Sequence, residues 1–266
     1  MSINLKSIEK ICCDVAVKAG HKIMEVYNDE SKFKNVEYKA DNSPLTMADK
    51  EANAIIVKVL EENFPEMAIL SEEGKDNLDR LNNPYCFVVD PLDGTKEFIK
   101  RNGQFTVNIG LAFEHKIIMG VIYVPVSKEL YFASKDGGAF YTDKNGETSR
   151  IFVSKENDLS KVRLVMSSSH GCEEMEKLIE KYNFTNFVKM GSSLKGCLVA
   201  KGDAEIYYRH NPTMEWDTAA MQCITEEAGA TFRQMDGTEM LYNRENSLNY
   251  KGFYIINTKE NELQGE

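Results

Sequence analysis

The sequence has no excess of positive charge, which argues against a protein that binds nucleic acid or an anionic membrane without specificity. Its 266 residues include 32 Lys and Arg but 42 Asp and Glu, for a formal net charge of −10. A chain of this charge repels polyanions. We therefore expect no nucleic acid among its partners, and a phosphorylated ligand must be met by a local group of opposite charge.

Long apolar runs and several familiar motifs are also missing. No segment approaches the roughly 20 apolar residues of a membrane-spanning helix, and the N-terminus is amphipathic rather than signal-like. The six cysteines include no Cys-x-x-Cys pair and no spacing typical of a disulfide scaffold, which favours a reducing compartment. The motifs Gly-x-x-x-x-Gly-Lys, Gly-x-Gly-x-x-Gly and Gly-x-Ser-x-Gly are absent, and the four histidines are too scattered for a zinc site. These absences predict a cytoplasmic protein without an integral membrane segment.

The sequence does contain enough apolar material for a large core. Apolar residues make up 42% of the chain, which suits one large α/β domain or two smaller ones that share an interface. Periodicity predicts helices over about 5–26 and 46–64, a short strand at 68–70 and hairpin-connected strands from 86 to 142. The second half is predicted to have strands at 162–167, 187–190, 204–209 and 252–257, and helices at 173–182, 193–201 and 216–228. The loop-like segment 142–148 predicts a turn near a domain boundary, and hence an N-terminal α+β domain (1–150) and a C-terminal α/β domain (151–266).

The hexapeptide Asp90-Pro91-Leu92-Asp93-Gly94-Thr95 follows a predicted buried strand. Its proline turns the chain, so the carboxylates of Asp90 and Asp93 can converge on one side. Two carboxylates that close repel each other unless a cation lies between them, and oxygen ligands of this kind suit Mg²⁺. Gly94 allows close approach of a ligand, and the N–H groups of Gly94 and Thr95 at the start of a helix suit phosphate. The hexapeptide alone also fits an ordinary surface turn.

Three further acidic residues stand at positions that suit ligand binding but also have simpler explanations. Glu72 directly follows the short strand at 68–70, although exposed glutamates are common. Asp217 lies at the start of a predicted helix, where an acid also serves as a cap. Asp49 follows Thr46 by three residues, so that these two residues also fit a variant of the capping box.

Four separated motifs occur in an order that resembles the inositol monophosphatase superfamily. They are Ser43-Pro44-Leu45-Thr46-x-Ala48-Asp49, Ser71-Glu72-Glu73, Asp90–Thr95 and Trp216-Asp217-x-Ala219-Ala220. Within that superfamily, the segments 93–103 and 191–195 resemble 3′(2′),5′-bisphosphate nucleotidases of the CysQ type. Inositol monophosphatases tend to have Thr-Asn-Phe where this sequence has Thr95-Lys96-Glu97-Phe98. The resemblance implies an α+β fold, a layered α/β/α/β/α sandwich with the metals between two domains.

The resemblance also implies a role for each matching residue. Two or more Mg²⁺ ions would be bound by Glu72, Asp90, Asp93, Asp217 and the carbonyl of Leu92. Asp49 and Thr95 would handle the attacking water, and Glu72 would help to orient it. The substrate would be contacted by Gly94, Thr95, His170, Ser192, Lys195 and Arg209. Without the resemblance, Lys195 fits a solvated side chain and His170 an ordinary surface residue.

The activity that this resemblance implies is hydrolysis of 3′-phosphoadenosine 5′-phosphate to AMP and phosphate, which clears a by-product of sulfate assimilation. A phosphatase of inositol or sugar phosphates is the alternative, and the features that distinguish it are Lys96, Glu97, Lys195 and Arg209. A regulator that binds metal or nucleotide without catalysis is a further alternative, against which the retention of Asp49 and Thr95 argues. A homodimer and a peripheral position on the inner face of the cell membrane are left open.

Overall fold

A computed structural model describes residues 3–33, 36–38, 44–168 and 173–263. The helices are α1 (Leu5–Asn28), α2 (Glu30–Phe33), α3 (Met47–Asn63), α4 (Thr95–Ile99), α5 (Glu173–Tyr182), α6 (Leu194–Lys201) and α7 (Glu215–Glu227). Short 3₁₀ helices cover Leu78–Asn82 and Lys259–Asn261. Within these ranges, no helix is both long enough and apolar enough to cross a bilayer.

The strands form two large sheets and two small pairs. The larger sheet runs in chain order through β3 (Ala68–Ser71), β4 (Tyr85–Asp93), β5 (Thr106–Phe113), β6 (Lys116–Val124), β7 (Glu129–Ser134), β8 (Gly138–Thr142) and β9 (Thr148–Ile151). The five-stranded sheet is ordered β11 (Phe187–Met190), β10 (Leu164–Ser167), β12 (Ile206–Arg209), β16 (Phe253–Ile256) and β14 (Thr231–Gln234). The small pairs are β1 (Val36–Tyr38) with β2 (Pro44–Thr46) and β13 (Thr213–Met214) with β15 (Leu248–Asn249).

Helices and sheets alternate in five layers. Helices α1 and α3 pack on one face of the seven-stranded sheet, and α6 and α7 lie between the two sheets. Helix α5 covers the far face of the five-stranded sheet through Met175 and Leu178. The α/β/α/β/α sandwich that the family resemblance implied is therefore confirmed.

Helix α7 lies unusually close to the centre of the larger sheet. A Cβ atom added to Gly120 on β6 would come within 2.3 Å of the carbonyl oxygen of Ala220 on α7. A side chain at position 120 would push the helix away from the sheet. This close packing fixes where the first turn of α7 stands relative to β4 and β5.

Most predicted elements are present, with differences at particular places. The strand predicted at 86–89 continues to Asp93 through an irregularity in its pairing, where the sequence suggested a turn. Strand β14 was not predicted because it is only four residues long and only Phe232 among them is buried. The segment 142–148 is the turn of the hairpin between β8 and β9. The seven-stranded sheet ends at Ile151, but one core cluster joins residues of both sheets. The division into domains at residue 150 stays a prediction.

Candidate active site

A cleft of about 660 Å³ opens where β4, α4, α6 and α7 meet. Its lining includes eight of the site residues predicted from the sequence, namely Glu72, Asp93, Gly94, Thr95, Ser192, Lys195, Arg209 and Asp217. These residues come from both halves of the chain. The fold therefore gathers into one cavity residues that are up to 145 positions apart in the sequence, as from 72 to 217.

The irregularity in β4 places Asp90 and Asp93 on the same side of the strand. Asp90 pairs with Asn108 of β5, while Asp93 pairs with Thr106, so three steps on β4 match two on β5. In a regular strand, side chains three positions apart point to opposite faces. The extra residue in β4 therefore turns the two side chains to the same face. The N–H of Leu92 donates to Oδ1 of Asp90 at 3.0 Å. The hexapeptide is thus a bulge within a strand rather than a surface turn.

Asp217 completes a group of three carboxylates. It lies in the first turn of α7, where its Oδ2 accepts the N–H of Met214 at 2.7 Å. One carboxylate oxygen from each of Asp90, Asp93 and Asp217 lies within 4.8 Å of the others. The cap that the sequence offered as an alternative explanation for Asp217 is therefore present together with the carboxylate cluster. The hydrogen bond from the Met214 N–H thus orients the Asp217 side chain, which is also a member of the cluster.

The electrostatics of the three carboxylates favour a bound cation. Burial raises the pKa of Asp90 well above its ordinary value, and the charges of Glu72, Asp93 and Asp217 raise it further. Burial also raises the pKa of Asp217 to about 7, and the charge of Asp93 adds to this effect. Such shifts mean that the carboxylates repel one another when all are ionised. A hard divalent cation with oxygen ligands fits this donor set.

The two other predicted metal ligands, Glu72 and the carbonyl of Leu92, lie on chain segments next to Asp90. The N–H of Glu72 donates to the carbonyl of Val89 at 3.1 Å, which holds the end of β3 beside β4. The carboxyl group of Glu72 also makes a hydrogen bond with that of Asp90. The carbonyl of Leu92 lies 3.4 Å from the hydroxyl of Thr95. The roles of Glu72 and Leu92 as metal ligands stay predictions.

Asp49 is buried and makes hydrogen bonds through both carboxylate oxygens. Its Oδ2 accepts the N–H of Thr46 at 2.7 Å and the hydroxyl of Thr46 at 2.5 Å, and its Oδ1 accepts the hydroxyl of Thr95 at 3.1 Å. Burial raises its pKa, while the hydrogen bonds from Thr46 oppose the rise. The capping box suggested by the sequence is present. The role of Asp49 with water stays a prediction.

The predicted substrate-side residues Gly94, Ser192, Lys195 and Arg209 line the same cleft as Asp93 and Asp217. Gly94 has φ +93°, and an added Cβ would lie 3.1 Å from the carbonyl of Gln104 and 3.3 Å from Cβ of Ser192. Glycine therefore suits this position in both conformation and space. Ser192 itself has φ +46°. Its carbonyl accepts a hydrogen bond from Nζ of Lys195 at 2.6 Å.

Lys195 differs most from what its residue type alone suggested. It is only 7% exposed, so the interpretation as a solvated side chain is wrong. Its Nζ lies 5.6 Å from the ring centre of Tyr207, and burial lowers its pKa to about 8. Arg209 also lines the cleft, and its Nε donates to the carbonyl of Asn211 at 3.3 Å. His170 lies outside the described residues, so its predicted contact with substrate stays a prediction.

The residues that hold Asp93 in place were not predicted from the sequence. Oδ2 of Asp93 accepts the N–H and the hydroxyl of Ser193, both at 2.6 Å, and Nδ2 of Asn108 at 3.2 Å. The Ser193 hydroxyl also lies 3.2 Å from the carbonyl of Asp217. Serine and asparagine are common polar residues, and nothing in their spacing pointed to this site. Position 193 could have been noticed as the neighbour of Ser192 in the quoted segment 191–195.

Comparison with known proteins gives consistent results. A model described as "Inositol monophosphatase family" matches residues 4–262. The chain is 42% identical over 252 residues to a protein of Buchnera aphidicola named 3′(2′),5′-bisphosphate nucleotidase CysQ, covering 94% of this chain and 93% of that protein. It is 40% identical over 244 residues to the protein of the same name from Escherichia coli K12, with coverage of 91% and 97%.

A solved structure shows the same likeness in three dimensions. The crystal structure of CysQ from Bacteroides thetaiotaomicron, described as a bacterial member of the inositol monophosphatase family, superimposes with a TM-score of 0.83 and 41% identity. The superposition covers 96% of this chain and 99% of that one. These similarities extend over both halves of the chain and therefore over every element that contributes to the cleft.

Proposed function

The chain belongs to the inositol monophosphatase family, and we propose that it is a Mg²⁺-dependent 3′(2′),5′-bisphosphate nucleotidase that converts 3′-phosphoadenosine 5′-phosphate to AMP and phosphate. The family and the named relatives support the reaction class and the substrate. The single observation that carries the proposal is the convergence of three carboxylates within 4.8 Å beside the Asp49–Thr95 pair. One general base supplies only about 10²–10⁴-fold, far less than phosphomonoester hydrolysis requires.

We assign the metal to the carboxylates of Glu72, Asp90, Asp93 and Asp217 and to the carbonyl of Leu92. Two or more Mg²⁺ ions held there would supply Lewis-acid chemistry: they would lower the pKa of water and stabilise the negative charge that develops on the phosphate and its leaving oxygen. The donors are all oxygen atoms, as Mg²⁺ prefers. Bound cations also reverse the local charge, which a bisphosphate requires in a protein of net charge −10.

Asp49 and Thr95 are assigned to proton transfer from the attacking water. Because the Thr95 hydroxyl donates to Asp49, its oxygen presents a lone pair that accepts a proton of the water. Thr95 then passes its own proton to Asp49, whose pKa is raised by burial and which is therefore a stronger base than an exposed aspartate. Glu72 orients the water. The water oxygen forms the new bond to phosphorus as the bond from phosphorus to the 3′ oxygen breaks, and the 3′ oxygen leaves with the bonding electron pair and takes a proton from a solvent water to become the hydroxyl group of AMP.

Lys195 and Arg209 are assigned to the second phosphate of the nucleotide. Both residues line the cleft together with Thr95 and Asp217. A lysine acts as a compact point charge, while the planar guanidinium of arginine can hold two phosphate oxygens at once. A substrate with one phosphate lacks a group for this pair. The pair therefore favours a bisphosphate nucleotide over inositol 1-phosphate.

The test is phosphate release with Mg²⁺ from 3′-phosphoadenosine 5′-phosphate, compared with inositol 1-phosphate and fructose 1,6-bisphosphate. We expect the nucleotide to have the highest kcat/KM, and Arg209→Ala to reduce that value while leaving turnover of inositol 1-phosphate nearly unchanged. A preference of the unaltered protein for inositol 1-phosphate would overturn the proposal in favour of an inositol phosphatase. Phosphate release that is unaffected by chelator would overturn the metal assignment.

The remaining expectations concern partners and location. The absence of a membrane-spanning helix within the described residues does not distinguish between locations. The cytoplasmic location, the peripheral position at the membrane and the homodimer stay predictions.

A further inference from the structure

A buried charged network surrounds the first turn of α7, outside the cleft. At its centre is Glu215, which is 0% exposed. Its two carboxylate oxygens accept the N–H of Asn243 at 2.6 Å, the N–H of Arg244 at 3.0 Å and Nε of Arg244 at 3.1 Å. A buried carboxylate that is paired this fully is held in one position, because every alternative position leaves a charge without partners.

Arg244 and Asn249 extend the network around the helix start. Nη2 of Arg244 donates to Oδ1 of Asn249 at 2.5 Å. Asn249 in turn donates to the carbonyl of Met214 at 2.9 Å and to the hydroxyl of Thr218 at 3.2 Å. Met214 is the N-cap of α7, and its side chain makes no capping hydrogen bond. The segment 243–249 therefore helps to hold the first turn, together with the hydrogen bond from the Met214 N–H to Asp217 and the packing of α7 on Gly120.

Arg80 connects this network to the other half of the chain. It is 5% exposed and lies in the 3₁₀ helix that follows the Glu72 segment. Its guanidinium donates to Oδ1 of Asn243 at 2.8 Å, to the carbonyl of Arg244 at 2.9 Å and to Asp76 at 2.7 Å. Nδ2 of Asn243 returns a hydrogen bond to the carbonyl of Arg80 at 3.0 Å. The bridge joins residues 163 positions apart.

The two ends of the network are the segments that carry Glu72 and Asp217. Asp76 is four positions after Glu72, and Glu215 is two positions before Asp217. We propose that Arg80 and Glu215 are positioning residues that set the separation of the Glu72 and Asp217 carboxylates, and thereby the affinity of the site for divalent metal. This inference rests on the proposed function for the identity of the metal ligands. Neither residue is among the cleft-lining residues that the structure describes, so both act through other groups.

The chain contains a matched control for the loss of a buried carboxylate. Glu205 is also 0% exposed, and it too accepts the N–H of its arginine partner, Arg163, at 2.6 Å and the Nε of that arginine at 3.1 Å. This second pair lies at the start of β12 and holds Arg163, the residue directly before Leu164 of β10. The substitutions Glu215→Gln and Glu205→Gln therefore remove the same charge from the same kind of pair, at different distances from the metal ligands.

The experiment measures Mn²⁺ binding by electron paramagnetic resonance on the full, metal-free chain, with Mg²⁺ as competitor. We expect Glu215→Gln to weaken Mn²⁺ binding by about 10–100-fold, the usual effect of removing a group that orients a metal ligand. Glu205→Gln should bind Mn²⁺ within about twofold of the unaltered protein, because its carboxylate is hydrogen-bonded to Arg163 and, among the described residues, not to a segment that carries a ligand. Thermal unfolding in chelator should show a similar loss of stability for both variants.

A milder variant covers the case in which Glu215→Gln does not fold. Asn243 has φ +56°, a conformation that glycine adopts without strain. Asn243→Gly removes the bridge to Arg80 while keeping the backbone N–H that Glu215 accepts, and we expect weaker Mn²⁺ binding by a smaller factor. The inference would be overturned if Glu215→Gln and Asn243→Gly both bind Mn²⁺ as tightly as the unaltered protein. It would also be overturned if Glu205→Gln loses as much Mn²⁺ affinity as Glu215→Gln. If Mn²⁺ binding responds as expected but the unaltered protein releases no phosphate from the nucleotide, the proposed function fails and the positioning role stands.

Discussion

The hydroxyl of Thr95 lies 3.1 Å from Oδ1 of Asp49, across 46 positions of sequence. Each residue has a local reason for its place: Asp49 closes the capping box of α3, and Thr95 begins α4 after the bulge in β4. Their contact joins the start of α3 to the start of α4, next to the carboxylate cluster. In the mechanism proposed above, this contact would pass a proton from the attacking water to Asp49.

Replacing Asp49 by Asn should reduce turnover strongly without disturbing the fold. The amide oxygen of Asn can still accept the N–H of Thr46, but its NH₂ group would then face the Thr95 oxygen and could not take a proton from it. We expect kcat for 3′-phosphoadenosine 5′-phosphate to fall by about 10²–10⁴-fold. The circular dichroism spectrum and Mn²⁺ affinity should stay close to those of the unaltered protein. Near-normal turnover would refute the proton-transfer role.

The substitutions Thr95→Ser and Thr95→Val separate the hydroxyl from the shape of the side chain. Serine keeps the group that contacts Asp49, whereas valine keeps the branched shape and loses the hydroxyl. We therefore expect Thr95→Ser to retain most of kcat and Thr95→Val to lose about as much as Asp49→Asn, since both act on one proton route. The double variant of Asp49→Asn with Thr95→Val should be little worse than either single one. Additive losses would show that the two residues act independently.

Asp217 should make the metal-free protein less stable as pH rises. Its pKa in the folded protein, about 7, is above the ordinary value of 3.8, so the fold favours the neutral carboxyl group. That stabilisation is fully present below about pH 3.8 and is lost as pH rises to about 7. Asp217→Asn has no charge to gain and keeps an oxygen for the Met214 N–H. In chelator, its melting temperature should exceed that of the unaltered protein by an amount that grows up to about pH 7 and then levels off.

Adding Mn²⁺ provides the control for this measurement. The unaltered protein should gain stability because the ion binds only the folded state, and Asp217→Asn should gain much less. Equal stabilisation of the two proteins by Mn²⁺ would contradict a ligand role for Asp217.

Lys195 should give binding of the bisphosphate a dependence on pH. Burial lowers its pKa to about 8, so the side chain is cationic below that pH and neutral above it. We expect kcat/KM for 3′-phosphoadenosine 5′-phosphate to fall as pH rises through about 8, because this ratio reports the free enzyme. Lys195→Met should have a low kcat/KM without that fall. The same pH profile in Lys195→Met, or in the unaltered protein acting on inositol 1-phosphate, would assign the titration to another group.

The sequence predicted most helices and strands because their apolar periodicities are strong. It placed α1, α3 and α7 within a few residues of their observed bounds. It did not predict that β4 continues as a strand to Asp93, because Asp, Pro and Gly have the same local preferences in a turn and in a bulge. Pairing with β5 makes this segment a bulge rather than a turn, and no local sequence pattern reveals that pairing.

The acidic residues of the candidate site could be predicted from the sequence, but the residues that hold them in place could not. Asp49, Glu72, Asp93 and Asp217 stood out through motif spacing and resemblance. Ser193, Asn108 and Glu215 did not, because their importance comes from hydrogen bonds to residues far away in the sequence. By residue type alone, Lys195 was interpreted as solvated. Its burial beside Tyr207 depends on tertiary packing, which its place on a short helix does not reveal.

Backbone preferences that act over a few residues place each carboxylate of the candidate site at a helix start or a strand end, and such preferences can be read from the amino-acid sequence. Whether the carboxylates meet depends on tertiary packing. The extra residue in β4 turns Asp90 and Asp93 to one side, and the close packing of α7 on Gly120 brings Asp217 to them. The mutual repulsion of these carboxylates, and hence their fit to a cation, depends on distances that exist only after the two halves of the chain have packed together.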